Sequence, residues 1–174
     1  MSRIIYQGDF ELDEISEKHT GFSTYRFHVF KIIVSLISDM TDEVNFNFTE
    51  DGLSIGCMDS GHISYLYCNF PKEFFNNFKV IENKVFGIHT KTLSKIFNYC
   101  KADMGITMSF SEDDINILVK NEDSNKEYCI KQMIIDDQQL GLSDNNFDYI
   151  INVDSKDFLN ITRELQDFGD SMVL

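Results

Sequence analysis

Two short stretches hold the residues best able to do chemistry: Met58-Asp59-Ser60-Gly61-His62 and Asp136-Asp137-Gln138-Gln139-Leu140-Gly141-Leu142. The first contains an acid, a hydroxyl and an imidazole, the types used in a nucleophilic relay. Groups so close together in an extended or turning segment cannot reach the geometry that a relay needs. A nucleophile at Ser171 fails differently, because it sits three residues from Leu174 instead of after an early strand with a distant acid and histidine to follow. No residue is assigned a catalytic role, and the chain is expected not to be an enzyme. Cys57, Cys68, Cys100 and Cys129 are spaced by 11, 32 and 29 residues, which fits no zinc pattern and reads as four buried free thiols. There is no glycine-rich phosphate loop and no paired metal-ligand motif, so neither cofactor nor metal is expected. What remains is adhesive chemistry. Met58 offers an adaptable thioether, His62 a ring with hydrogen-bonding edges, and Leu140 and Leu142 are aliphatic side chains in an acidic segment, a pattern that suggests a docking surface.

The elements that would position these residues follow from hydrophobic periodicity. Val44, Phe46 and Phe48 alternate with polar residues, Glu50-Asp51-Gly52 makes a turn, and Leu53, Ile55 and Cys57 return, which predicts a hairpin. A second hairpin runs from Ile106, Met108 and Phe110 through Glu112–Asp114 to Ile115, Ile117 and Val119. A further strand is expected over Lys126–Met133, with Tyr128 and Ile130 on one face. Three segments have helical period instead. In the first, Val29, Ile32, Ile33, Leu36, Ile37 and Met40 are read as the core stripe, with Lys31, Ser35 and Ser38 opposite. In the second, Thr90 is read as the cap, Leu93, Ile96, Phe97 and Cys100 as the stripe, and Lys91, Lys95 and Asn98 as outward. After an expected strand at Tyr149–Val153, Asp154 or Ser155 caps a third, with Phe158, Ile161, Leu165 and Phe168 inward and Lys156, Asn160 and Arg163 outward. An offset of 65 residues lays Ile88-His89-Thr90-Lys91 over Val153-Asp154-Ser155-Lys156, so the chain repeats a unit of strand, capped helix and hairpin.

Composition bounds the reading. At 174 residues and 43% hydrophobic, the chain is long enough for one full domain and part of another. With 29 acidic against 15 basic residues, its net charge of −14 opposes nucleic acid unless the cations gather on one face. All three expected helices carry basic residues on the face turned away from the core, which is such a gathering. Met1-Ser2-Arg3-Ile4-Ile5 has no long apolar core of a secretion signal, and no run of about 20 apolar residues would span a membrane, so an intracellular protein is expected.

From about Phe22 onward the chain resembles proliferating cell nuclear antigen, the eukaryotic-type DNA sliding clamp. The matching pieces, in order, are Gly52-Leu53 before Met58-Asp59-Ser60-Gly61-His62-Ile63-Ser64, then Leu93-Ser94-Lys95-Ile96, then Tyr128 leading to Gln139-Leu140-Gly141-Leu142, and Arg163-Glu164-Leu165 before Gly169-Asp170. The resemblance implies an α+β DNA clamp fold of repeated β-α-β-β-β units, with helices on one face of antiparallel sheets. It further implies a ring around duplex DNA, with the helices lining the hole. Carried over by position, Lys31, Lys91, Lys95, Lys156 and Arg163 would meet phosphates without reading sequence. Phe30, Ile37, Asn98 and Asn160 would stand where the family often has cations, implying a weaker grip. Met58, His62, Tyr65, Met133, Leu140 and Leu142 would line a pocket for a client peptide, with Asp136 and Asp137 attracting its basic flanks. The implied partners are double-stranded DNA, a DNA polymerase and other clients bearing a short clamp-binding peptide, and a clamp loader, with a homotrimer for a full-length chain and no membrane. The implied location is the nucleus or another intracellular site of DNA replication.

The expected organisation is an N-terminal extension over 1–20, a first clamp domain over 21–132, an interdomain connector over 133–147 and the incomplete start of a second clamp domain over 148–174. The extension matches nothing familiar, and the chain stops within an expected strand, which suggests a fragment or a natural truncation. A clamp-derived adaptor that binds client peptides without encircling DNA is the competing expectation, supported by the acidic total and the sparse basic face.

Overall fold

The computed structural model describes residues 11–135 and 151–169, and its contacts divide the chain into two units, Met1–Leu140 and Gly141–Leu174. The first unit contains β1 (Thr20–Thr24), α1 (Phe27–Met40), β2 (Glu43–Thr49), β3 (Gly52–Met58), β4 (Tyr65–Pro71), β5 (Asn77–Lys79), β6 (Lys84–His89), α2 (Thr90–Asn98), β7 (Gly105–Phe110), β8 (Asp114–Lys120) and β9 (Asn125–Lys131). These make two antiparallel sheets of order β4-β3-β2-β6 and β5-β1-β7-β8-β9, an α+β architecture. The chain thus writes β-α-β-β-β twice, and each copy lends its first strand to the other's sheet: β6 pairs with β2, and β1 with β7. Neither copy can close its own sheet, so the two fold as one body.

Phenylalanine rings join the sheets. Phe48 of β2 lies 4.8 Å from Phe110, 5.7 Å from Phe86 and 6.0 Å from Phe78, so residues of both sheets meet at one ring. Each such ring contributes roughly 1.5–3 kcal/mol on burial. The hairpins fall where alternation predicts them, with Phe46 opposite Ile55 and Met108 opposite Ile117.

α1 departs from its predicted face. Its buried residues are Phe27, Phe30, Val34 and Ile37, while Ile32 and Leu36 are 59% and 50% exposed and Val29, Ile33 and Met40 are partly buried. The helix is apolar nearly all round, so periodicity left two stripes in competition. The stripe with the larger rings won: Phe30 stacks 4.8 Å from Phe22 and 5.0 Å from Phe70, and Phe27 meets Phe97 edge-on at 5.0 Å. Phe30 and Ile37 are therefore core residues.

α2 keeps its predicted stripe, with Leu93, Ile96, Phe97 and Cys100 buried. Its cap is His89, not Thr90: the His89 Nδ1 accepts from the Thr92 amide at 3.2 Å, whereas the buried Thr90 hydroxyl donates to the Thr41 carbonyl. That bond, and the Thr90 amide donating to the Asp42 carbonyl at 2.9 Å, fix the start of α2 beside the end of α1. Of the four cysteines, expected to be buried, only Cys57 and Cys100 are; Cys68 is half-buried and Cys129 is exposed because it alternates outward on β9.

The described part of the second unit holds α3 (Ser155–Gln166), capped by Asp154, whose side chain accepts from the Lys156 amide at 2.8 Å. Among the described residues, 151–153, within the expected strand, pair with no strand, and Phe158, Ile161, Leu165 and Phe168, expected inward, are exposed.

Residues 11–19, expected to be an unplaced extension, lie in part against the five-stranded sheet. The Asp13 carboxylate is 2.7 Å from the Lys120 ammonium, an ion pair not aligned as a hydrogen bond, and the Thr107 hydroxyl donates to the Asp13 carbonyl at 3.5 Å.

Candidate functional site

Met58 ends β3 and Tyr65 opens β4 directly opposite it. The six-residue turn between them is built by Asp59. Its carboxylate accepts from the amides of Ile63 at 2.8 Å and Ser64 at 2.6 Å, and its backbone amide donates to the Ser64 carbonyl. Those amides, Ser64 foremost, hold the Asp59 carboxyl below its ordinary range against a smaller opposing desolvation. The acid is thus committed to the turn and is no part of a relay. His62 sits at the tip, exposed, with φ of 54°, the left-handed region that histidine tolerates better than most residues.

Side chains alternate along a strand, so Met58, Gly56 and Ser54 share the outer face of the four-stranded sheet with Tyr65 and Tyr67. The two tyrosine rings stack at 6.5 Å, and a methyl group at Gly56 would come within 2.6 Å of the Tyr65 hydroxyl. Gly56 is therefore the floor under these rings. In the same row across the sheet lie Asn45 of β2 and Gly87 of β6.

The far edge of that row seats residues 133–135, the start of the segment expected to be a connector. Met133 bridges Gly87, donating its amide to the Gly87 carbonyl at 2.9 Å, and the chain then turns over the sheet so that the Ile135 carbonyl accepts from the Asn45 side chain at 3.5 Å. A Cβ at Gly87 would collide with the Met133 carbonyl oxygen and the Ile135 side chain. The structure thus brings Met58, Tyr65 and His62 together at one end of the sheet and Met133 to the opposite edge of the same face. Leu140, Leu142, Asp136 and Asp137 lie outside the described residues. Sequence reasoning missed Gly56, Gly87 and Asn45. The available signal was glycine inside a strand pattern, which marks a close approach of backbone or side chain.

The helices give the second surface. Lys95, in the last turn of α2, is exposed and has no ion-pair partner among the described residues. Lys91 pairs with Asp42 at 2.6 Å, and this hydrogen bond lowers the Asp42 pKa. Lys31 is half-buried, and its ammonium donates to the Cys100 carbonyl at 2.8 Å, so it ties α1 to the end of α2. The most exposed apolar side chains of α1 are Ile32 and Leu36. Lys156 and Arg163 are exposed on α3 of the second unit, with Arg163 in its last turn. Among the described residues no three His, Cys, Asp or Glu side chains cluster as metal ligands, and no helix is long and apolar enough to cross a membrane.

A family model described as "Proliferating cell nuclear antigen, N-terminal domain" matches residues 18–140. Two curated relatives named "Proliferating cell nuclear antigen 1", from Plasmodium falciparum isolates K1 / Thailand and 3D7, are each 26% identical over 152 residues, covering 84% of this chain and 56% of theirs. The crystal structure of proliferating cellular nuclear antigen from Entamoeba histolytica superposes with a TM-score of 0.79 at 23% identity, covering 87% of this chain and 62% of that one. At that identity the superposition speaks for the clamp fold. The chain spans a little over half the length of the curated relatives it matches.

Proposed function

The chain belongs to the proliferating cell nuclear antigen family, and from that premise we propose that it serves as a DNA sliding clamp that encircles duplex DNA and docks replication and repair proteins beside its interdomain connector. The family works by binding and not by catalysis. The observation that carries the docking half is the seat of residues 133–135: Met133 bridges Gly87 and the Ile135 carbonyl meets Asn45, on the outer face of the four-stranded sheet where Met58 and Tyr65 also lie. An extended client peptide with aromatic and aliphatic anchors suits such a face. Met58, His62, Tyr65, Met133, Leu140 and Leu142 are the proposed pocket.

The DNA half rests on exposed cations spaced along helices in an otherwise acidic chain. A protein that slides needs a few exchangeable phosphate contacts and no base readout. Lys95 fits that role in the first unit, and Lys156 and Arg163 are proposed to share it. Polymerase and clamp-loader partners, a homotrimer of full-length chains and a nuclear or other intracellular replication site belong to the same reading.

Retention on nicked circular DNA, with release on linearisation, is the expected result, together with a trimeric mass by size-exclusion light scattering. A monomer that passes through circular DNA but binds a client-type peptide would overturn encirclement and leave the second reading, a peptide-binding adaptor. What favours that reading is specific: Lys31 and Lys91 are already engaged, and α1 shows Ile32 and Leu36 to solvent.

A further inference from the structure

The two carbonyls that follow α2, that of Tyr99 at its C-cap and that of Cys100 just beyond, are gripped from two sides. Lys31 of α1 donates to the Cys100 carbonyl at 2.8 Å, and Lys126 of β9 donates to the Tyr99 carbonyl at 2.6 Å. We propose that Lys126 and Lys31 are positioning residues for phosphate binding: they neutralise the carbonyl end of α2, so that Lys95 on its last turn can hold a duplex phosphate that neither of them touches. This rests on the clamp reading above.

The physical case starts from the helix itself. Aligned peptide dipoles leave about half a negative charge at a helix C-terminus, concentrated on carbonyls that have no intrahelical partner. Here the chain tightens after the helix, with the Tyr99 amide bonding the Ile96 carbonyl and the Cys100 amide the Phe97 carbonyl, which leaves the Tyr99 and Cys100 carbonyls projecting. A phosphate drawn to Lys95 would meet that negative end within a turn. Two ammonium groups held on the carbonyls just past that end place positive charge beside it and offset its sign. Charge-assisted bonds of this kind are roughly twice as strong as neutral ones, so the clasp holds while a mobile phosphate comes and goes. The convergence is specific: in a chain with 15 basic and 29 acidic residues, lysines from a helix and from an edge strand meet neighbouring carbonyls of a third element. A lysine serving solubility has no reason to be half-buried on a carbonyl.

The test is duplex binding by fluorescence anisotropy across a salt series, with the whole chain and its variants. Lys95→Ala should weaken binding and flatten the slope of log K against log salt by about 0.9, the loss of one phosphate contact. Lys126→Met and Lys31→Met should each weaken binding about three- to tenfold while leaving that slope unchanged, and Lys126→Arg should restore affinity. The wild-type chain supplies a second readout that depends on no variant folding: on saturation with duplex, the Lys95 side-chain ammonium resonance shifts and that of Lys126 does not. If the wild type binds but Lys126→Met binds equally well, the clasp is purely structural and the proposal fails while the clamp reading stands. A slope lowered by about 0.9 in Lys126→Met, or a Lys126 resonance that moves with duplex, makes it a direct contact and also overturns the proposal. A wild type with no affinity for duplex at any salt sinks the clamp reading itself.

Discussion

Asp59 shows how a residue that looks reactive can be architectural. Its carboxylate closes the β3–β4 turn on the Ile63 and Ser64 amides, and those bonds favour its ionised form. A carboxyl whose pKa is lowered by folding stabilises the fold fully above its unfolded value of about 3.9, and that stabilisation is lost only as pH falls through the lower folded value. The Ile63 and Ser64 amide resonances should therefore keep their hydrogen-bonded positions down through pH 3.9 and move below it, as followed by NMR. Asp59→Ala should release both amides at every pH and weaken client-peptide binding by displacing Met58 and Tyr65; unchanged amide shifts in that variant would refute the role.

Among the elements, the connector and α1 give the sharpest expectations. Gly87→Ala places a methyl against the Met133 carbonyl, which is backbone and cannot rotate away, so the connector must lift from β6. Overpacking of this kind costs about 1–3 kcal/mol. If the connector forms one wall of the pocket, peptide affinity should fall about tenfold or more, the equivalent of 1.4 kcal/mol. Isothermal titration would measure it, and full affinity in the variant would remove the connector from the site. On α1, Ile32→Lys and Leu36→Lys add charge at exposed positions and should change stability by less than about 0.5 kcal/mol. If that face looks onto a duplex, each should steepen the salt slope by about 0.9. An unaltered slope would mean that α1 faces elsewhere.

For the whole first unit, the exchange of first strands makes stability indivisible. Phe48 touches rings from both sheets, so Phe48→Ala should cost about 3–5 kcal/mol, a large part of a domain's usual 5–15 kcal/mol. Urea unfolding should stay a single transition with a lower midpoint. Two separated transitions would show that the sheets fold independently, against the topology.

The sequence determined what depends on neighbours along the chain. Alternation set the hairpins, α2 announced its buried stripe because its polar and apolar faces are cleanly divided, and Asp154 was legible as one of two candidate caps because its side chain can reach an amide two residues on. The order of motifs around Met58–His62 and Leu93–Ile96 carried the family. Tertiary structure alone decided what depends on distant partners. α1 was apolar on too many sides for periodicity to choose a face, and only the rings of Phe22, Phe70 and Phe97 settled which side is core. Lys31 read as a free surface charge, and Lys126 only as the start of a strand, until carbonyls 69 and 27 residues away came within reach of their ammonium groups. Gly87 became a seat for the connector only once β6 stood at the edge of a sheet built mainly from the other repeat. Local sequence fixes the period of a segment, but which side of it is buried, and what its charges meet, is set by packing between elements.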